Sequence, residues 1–172
     1  NRFDKILEGI EKTLTFENIS LKINTVLMKG INDDLNTYLN FIKDKKIEWR
    51  FIEFMETGLR KENFNSYHIS GTFFEKQLVQ HGWIICHQKT NGGPAKVYQH
   101  PYYLGKVGLI MPYSKDFCQG CNRLRISATG KLHYCLFGEI AFDLRPFLKS
   151  SNSHDELEKT ILNSLQIKPK SH

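Results

Sequence analysis

The sequence predicts an α/β fold with a parallel sheet or barrel, followed by a smaller domain that contains an antiparallel sheet. In roughly the first 55 residues a helix, a strand, a second helix and a second strand follow one another, the order in which parallel strands are connected. From Trp83 onward the pattern changes to short strand-like runs separated by turn residues, which is typical of a small antiparallel sheet. The turn-forming segment NGGPA follows the first of these runs, and its turn chemistry predicts a boundary near residue 95, with domains 1–94 and 95–172.

The first domain is predicted from hydrophobic periodicity and helix caps. Phe3, Ile6, Leu7, Ile10 and Leu14 recur at helical spacing and predict a helix over 3–14. Strands are predicted over 20–28 and 48–55, with a helix over 35–46 between them. Residues 56–68 are polar and predicted to be irregular, and a further helix is predicted over 70–82, capped by Ser70 or Thr72 and ended by Gly82.

The second pattern consists of five short strand-like runs and two closing helices. The runs are WIICHQ, AKVYQH, KVGLIMP, RLRISA and KLHYC, and the predicted helices are DLRPFLK and SHDELEKTILNSLQ. Each run is short and bounded by turn residues, so we expect hairpins rather than long strands.

Composition limits the function classes. The 172 residues are 40% hydrophobic and 24% charged, as in a globular protein, and no apolar run is long enough to span a membrane. Because the clustered cysteines do not suggest a disulfide framework and there is no secretory signal, we expect a cytoplasmic protein. The net charge of +6 favours an anionic partner, but no long basic run singles out nucleic acid. The first residues have neither an initiator Met nor the pattern of a signal peptide, so we expect a piece of a longer protein.

Three of the four cysteines are clustered. Cys118 and Cys121 are separated by two residues, and Cys135 can return to them from the far strand of a hairpin whose turn is ATGK. A structural zinc ion would need a fourth ligand, with His133 or Cys86 as candidates. An iron–sulfur cluster on three thiolates would leave one iron open. A group of cysteines without metal is the third interpretation.

Two arginines follow the second cysteine of this cluster. On a strand, Arg123 and Arg125 would point to the same side. A closed zinc site has no use for two adjacent cations, whereas beside an open metal position they could bind an anionic ligand. The alternative is that both arginines lie on a solvent-exposed strand face.

The run FCQGCNRLRISATGKLHYCLFGE resembles the C-terminal part of the GTP 3′,8-cyclase family of radical S-adenosylmethionine (SAM) enzymes. LKINTVLMKGINDD, WRFIEFM and GGPAKVY resemble other segments of that family in the same order. The resemblance implies the late strands and helices of a partial (β/α) radical SAM barrel in 1–94, and a small α+β domain that binds an auxiliary [4Fe-4S] cluster and GTP in 95–172. The family's N-terminal Cys-x-x-x-Cys-x-x-Cys motif, which holds a second, SAM-binding [4Fe-4S] cluster, is absent from this sequence.

The resemblance also implies roles for individual residues. Cys118, Cys121 and Cys135 correspond to the three ligands of the auxiliary cluster, whose open iron binds GTP. Met55 corresponds to a SAM contact. GTP contacts are implied for Arg123, Leu124, Arg125, Lys22 and, more weakly, Arg50. Arg50 and Met55 have opposite strand parity, so a backbone contact from Met55 would reconcile the two roles.

The implied activity is radical cyclisation of GTP for molybdenum cofactor biosynthesis, with a cyclic pyranopterin monophosphate synthase acting next. An electron donor is required, and a homodimer is compatible with the resemblance. Two alternative functions are also compatible with the sequence: a zinc-stabilised module that binds nucleic acid, and another radical SAM enzyme with an auxiliary cluster. The aromatic residues lie in apolar runs rather than beside basic ones, which favours a core over a nucleic-acid stacking surface.

Overall fold

Two sheets, each with its own helices, make up the fold. The computed structural model describes residues 2–56, 61–86, 93–114, 117–118, 121, 123–136, 138, 141–148 and 154–166. The chain divides into unit 1, Asn1–Ser114, and unit 2, Lys115–His172. The elements of unit 1 are α1 (Arg2–Leu14), β1 (Leu21–Leu27), α2 (Leu35–Ile42), β2 (Ile47–Glu53), α3 (Lys61–Tyr67), α4 (Gly71–Gln80), β3 (Ile84–Ile85), β4 (Lys96–Gln99) and β5 (Lys106–Ile110).

The sheet of unit 1 is mixed, with strand order β1-β2-β5-β4-β3. Strands β1, β2 and β5 are parallel, and β4 and β3 extend the sheet by antiparallel pairing. This arrangement confirms the predicted α/β class.

The two faces of this sheet differ. One face carries Ile47, Phe51, Val107 and Leu109, which are buried together with Leu39 and other residues of α2 and α4. Strand alternation therefore directs Lys22, Asn24, Glu48 and Arg50 to the opposite face. The apolar face forms the core, and these four polar residues lie on the opposite face, called here the polar face.

The division of the chain differs from the predicted boundary at residues 94/95. That position lies inside unit 1, between β3 and β4, which pair with each other in one sheet. The segments around β4 and β5 were expected in a separate antiparallel sheet, but β5 pairs in parallel with β2. Local pattern cannot reveal this pairing, because the partner strand is distant in sequence.

Helix α3 lies in the segment predicted to be irregular. Its Phe64 ring packs against Phe54, with ring centroids 6.1 Å apart, and against His68 at 4.6 Å. A helix of seven residues has little stability of its own. Packing against the end of β2 therefore accounts for this helix, rather than local propensity.

Unit 2 contains β6 (Arg125–Ile126), β7 (Lys131–His133), β8 (Ala141–Asp143), a 3₁₀ helix (Arg145–Leu148) and α5 (His154–Gln166). The strands form an antiparallel sheet in the order β6-β7-β8. Its core consists of Leu132, Tyr134 and Leu144, against which Leu157 and Ile161 of α5 pack.

The segment DLRPFLK, predicted as a helix, starts at the end of β8 and continues as the 3₁₀ helix. Asp143 accepts a hydrogen bond from the backbone N–H of Arg145 at 3.0 Å, which favours a turn over an extended strand. In the described part of the chain, every helix is too short or too polar to cross a membrane.

Candidate functional site

The polar face of the unit 1 sheet carries two of the residues predicted to bind GTP, Lys22 and Arg50. In the parallel register Asn24 lies opposite Arg50, and Lys22 lies opposite Glu48. Lys22 and Asn24 are exposed, whereas Arg50 is partly buried. The structure therefore brings Lys22 and Arg50, both predicted GTP contacts, to the same face of adjacent strands.

Arg50 has two close neighbours on the polar face, Glu48 and Gly108. Its Nε donates a hydrogen bond to Glu48 Oε1 at 2.5 Å, and the two side chains are 14% and 17% exposed. Gly108 lies opposite Arg50 on β5. A Cβ atom at Gly108 would lie 2.9 Å from Arg50 Cγ, so the glycine gives the arginine stem the space it occupies.

Met55 lies beyond the end of β2, which finishes at Glu53. Because strand alternation does not extend to Met55, its opposite parity to Arg50 does not limit the direction of its side chain. The next residue, Glu56, donates its backbone N–H to Tyr113 Oη at 2.8 Å. The predicted SAM contact is thus on a short segment at the carboxyl end of a parallel strand, where α/β folds place ligands.

A buried carboxylate supports the start of this segment. Glu53 is 2% exposed, and its Oε1 lies 2.9 Å from His68 Nε2. The His68 ring packs edge-on against Tyr113, with centroids 5.5 Å apart. Through His68, Glu53 is therefore connected to Tyr113, the same residue whose hydroxyl accepts the hydrogen bond from Glu56.

The cysteines of unit 2 lie toward one end of the β6–β7 hairpin. Arg125 pairs with His133, so continuation of the antiparallel register would bring Cys135 level with residue 123. Cys121 donates its backbone N–H to Cys118 O at 3.1 Å, so the backbones of these two cysteines are in direct contact. The opposite end of the hairpin is closed by Ser127 and Lys131, with Gly130 at a φ of +73°. The predicted hairpin is present, whereas the convergence of Cys135 with Cys118 and Cys121 stays a prediction.

The donor set of this hairpin fits a thiolate-ligated metal group in its chemistry. All three cysteines are thiols rather than disulfide partners, and each is partly buried. Soft thiolates are the usual ligands of iron–sulfur clusters and of zinc. Within the described residues, however, no three His, Cys, Asp or Glu side chains are arranged to hold a metal ion.

The arginines beside the cysteines have different surroundings. Arg123 lies before β6, and its Cζ is 5.4 Å from the centroid of the Phe117 ring. Arg125 is the first residue of β6 and is partly buried. Between them, Leu124 packs against the core of unit 2. The expectation that one strand orients both arginines is not met, because β6 starts only at Arg125.

The alternative zinc ligands also have defined places. Cys86 belongs to unit 1, where its backbone N–H donates to Val97 O at 2.7 Å next to β3. His133 is the last residue of β7 and pairs with Arg125. Cys86 is therefore partly buried at the edge of the first sheet and does not belong to its core, whereas the apolar run WIIC predicts a small core residue.

Sequence reasoning missed two residues of the polar face. Glu48 precedes Arg50 by two positions, and strand alternation alone would have placed both on one face. Gly108 had no such signal, because its relation to Arg50 depends on the pairing of β2 with β5.

Comparison with known proteins identifies the relatives of this chain. It is 47% identical over its whole length to the GTP 3′,8-cyclase of Psychromonas ingrahamii, and 46% to that of Mannheimia succiniciproducens. It is 44% identical to the GTP 3′,8-cyclase of Haemophilus influenzae strain Rd. The chain covers 51% of the length of each of these three relatives.

A family model also matches most of the chain. The model for Molybdenum Cofactor Synthesis C matches residues 47–172, which include β2 to β5 of unit 1 and all of unit 2. The match contains Arg50, Met55 and the cysteine hairpin. The chain therefore belongs to the Molybdenum Cofactor Synthesis C family.

Proposed function

We propose that this chain is the substrate-side half of a GTP 3′,8-cyclase of molybdenum cofactor biosynthesis. The observation that carries the proposal is the β6–β7 hairpin, which starts at Arg125 and is flanked in sequence by Cys118, Cys121 and Arg123 on one side and Cys135 on the other, in a chain whose relatives are named GTP 3′,8-cyclases. The whole protein, a lyase, would convert GTP to (8S)-3′,8-cyclo-7,8-dihydroguanosine 5′-triphosphate with SAM. A cyclic pyranopterin monophosphate synthase would use the product.

Cys118, Cys121 and Cys135 are the residues that would hold an auxiliary [4Fe-4S] cluster. With three thiolate ligands the cluster would supply an open iron as a contact for GTP. SAM and its own [4Fe-4S] cluster would be bound largely by the remainder of the protein, with Met55 contributing to the SAM site. In this division, unit 1 corresponds to late strands of a partial barrel and unit 2 to the auxiliary domain.

Four cations are proposed to bind GTP: Lys22 and Arg50 in unit 1, and Arg123 and Arg125 in unit 2. Guanidinium groups present rigid pairs of donors that suit phosphate and carbonyl oxygens. Leu124 uses its side chain for packing in the core of unit 2, so its proposed contribution to GTP binding is made by the backbone.

Metal analysis of the full-length protein tests the cluster assignment. After anaerobic reconstitution, we expect iron and sulfide for an auxiliary [4Fe-4S] cluster that the C118A, C121A and C135A variants each lack, because each removes a thiolate ligand. Cys86→Ala is the matched control and should retain this cluster. Loss of auxiliary iron in C86A with retention in C135A would contradict the ligand assignment, and one zinc ion in place of this cluster would favour the zinc-stabilised module.

Substitution of the arginines tests substrate binding separately. Arg123→Ala and Arg125→Ala should each weaken GTP use on the order of tenfold while the cluster stays in place, because each removes a charge-assisted contact. Lys131→Ala removes an exposed cation from the same hairpin and is the control for net charge. If GTP kinetics change no more in the arginine variants than in K131A, the arginines do not bind GTP, and the alternative that they lie on a solvent-exposed face is favoured.

A further inference from the structure

The surroundings of Arg50 suggest a role for two residues that touch it. Glu48 accepts a hydrogen bond from Arg50 Nε at 2.5 Å, and both side chains are largely buried, at 14% and 17% exposure. Gly108 leaves the space taken by the arginine stem, since a Cβ there would lie 2.9 Å from Arg50 Cγ. Glu48 therefore fixes the guanidinium group of Arg50, and Gly108 leaves room for its methylene stem.

This arrangement leaves Arg50 suited to an anion. The bond to Glu48 uses the Nε–H donor, and the guanidinium has four further N–H donors on its two terminal nitrogens. The register also places Lys22 and Lys106 on the strands on either side of Glu48. The three cations outnumber the carboxylate, so this row of the polar face is net positive.

We propose that Glu48 and Gly108 are positioning residues that hold Arg50 for binding the polyphosphate group of a nucleotide. This inference rests on the proposed function, which makes GTP the ligand, and it adds the residues that orient one of its contacts. A free polyphosphate ion has the same chemistry and would bind in the same way. Holding the guanidinium in advance lowers the entropy lost on binding.

The direction in which Glu48→Ala changes the affinity for GTP distinguishes a positioning role from a purely electrostatic one. Glu48→Ala removes a negative charge close to the site, so a purely electrostatic role predicts tighter binding of GTP. Positioning predicts weaker binding, because the guanidinium is released into several conformations. Glu48→Gln removes the same charge but keeps an oxygen that can accept the Nε–H bond.

The experiment measures equilibrium binding of GTP, inorganic tripolyphosphate and guanosine to the full-length protein. We expect E48A to weaken GTP and tripolyphosphate on the order of tenfold, and guanosine by less than about twofold. E48Q should bind all three ligands within about twofold of the wild type. Glu17→Ala, which removes an exposed carboxylate elsewhere in unit 1, is the matched control.

A double substitution tests whether Glu48 acts through Arg50. R50A alone should weaken GTP, and E48A/R50A should bind GTP no more weakly than R50A, because the residue that Glu48 positions is gone. Gly108→Ala should reproduce the phosphate-specific loss of E48A by displacing the arginine stem. If G108A does not fold, the Glu48 series alone decides.

The outcomes separate this inference from the proposed function. Tighter or unchanged GTP binding in E48A, equal weakening of guanosine, or additive losses in E48A/R50A would each overturn the positioning role while GTP binding by the wild type stands. Wild-type binding of tripolyphosphate with the expected variant pattern, but no binding of GTP, would support the inference and contradict the proposed function. Binding of none of the three ligands by the wild type would overturn both.

Discussion

Among the glycines that the structure describes, Gly105 is the position where an added methyl group is expected to cost the most stability. It precedes β5, is buried, and donates its backbone N–H to Ile42 O at 3.1 Å. A Cβ at Gly105 would lie 2.6 Å from both the Cβ and the carbonyl oxygen of Ile42. Because neither atom is the end of a flexible side chain, relief requires movement of the α2 end away from the sheet.

The cost of Gly105→Ala follows from this geometry. Overpacking a well-packed core typically destabilises by about 1–3 kcal/mol, and contact with backbone places this substitution near 3 kcal/mol. In a unit of this size that corresponds to a lower melting temperature by roughly 10 °C. Urea unfolding of the protein, followed by circular dichroism, measures the change as a lower midpoint at unchanged slope.

Gly9→Ala is the matched control for this substitution. Gly9 lies on the exposed side of α1, and a Cβ there would meet nothing within 4 Å. Replacing a helical glycine by alanine should stabilise by about 1 kcal/mol. If G105A unfolds at the same urea concentration as the wild type while G9A shifts as expected, the close packing of Gly105 on Ile42 is refuted.

Three further predictions concern a buried hydroxyl, an exposed carboxylate and the chain alone. Tyr98→Phe should destabilise unit 1 by about 1.5 kcal/mol in urea, because the buried hydroxyl donates to Glu75 Oε1 at 2.5 Å, whereas Y102F at an exposed ring should be neutral. Burial, and then that bond, raise the pKa of Tyr98. Hydrogen bonds from Arg145 lower the pKa of Asp143 to about 2. The contribution of this carboxylate to stability should therefore be complete above about pH 4 and be lost as the pH falls toward 2. An ordinary pKa for Asp143 in a carboxyl NMR titration would contradict this. The chain alone, reconstituted and reduced, should form no 5′-deoxyadenosine from SAM above a cluster-free control.

Helix α4 shows what local sequence signals can predict. Ser70 accepts a hydrogen bond from Thr72 N at the N-cap, and Gly82 has a φ of +82° just after the last turn. Both are short-range effects of residue type, so the predicted helix over 70–82 differs from Gly71–Gln80 only at its ends. The β6–β7 hairpin was predictable for the same reason, because its turn is formed by the consecutive residues ATGK.

Long-range pairing was not predictable from the same signals. The run KVGLIMP has the pattern of a strand, but nothing within it indicates a parallel neighbour in β2 rather than an antiparallel one in a separate sheet. The predicted domain boundary and the role of Gly108 both depended on that choice. Helix α3 was missed because its stability comes from the rings of Phe54 and Tyr113, which approach only in the folded protein.

The distribution of thiols between the two units explains why the proposed radical chemistry requires more than this chain. Three of the four cysteines are in unit 2, and the fourth, Cys86, is at the edge of the unit 1 sheet. A [4Fe-4S] cluster that binds SAM would need three further thiolates in the family's pattern, and one cysteine cannot supply them. The cations proposed to bind GTP, by contrast, are all within this chain. Substrate recognition and generation of the radical are therefore assigned to different parts of the proposed enzyme, so variants of Arg50 or Arg125 are expected to affect GTP binding without removing the capacity of the full protein to cleave SAM.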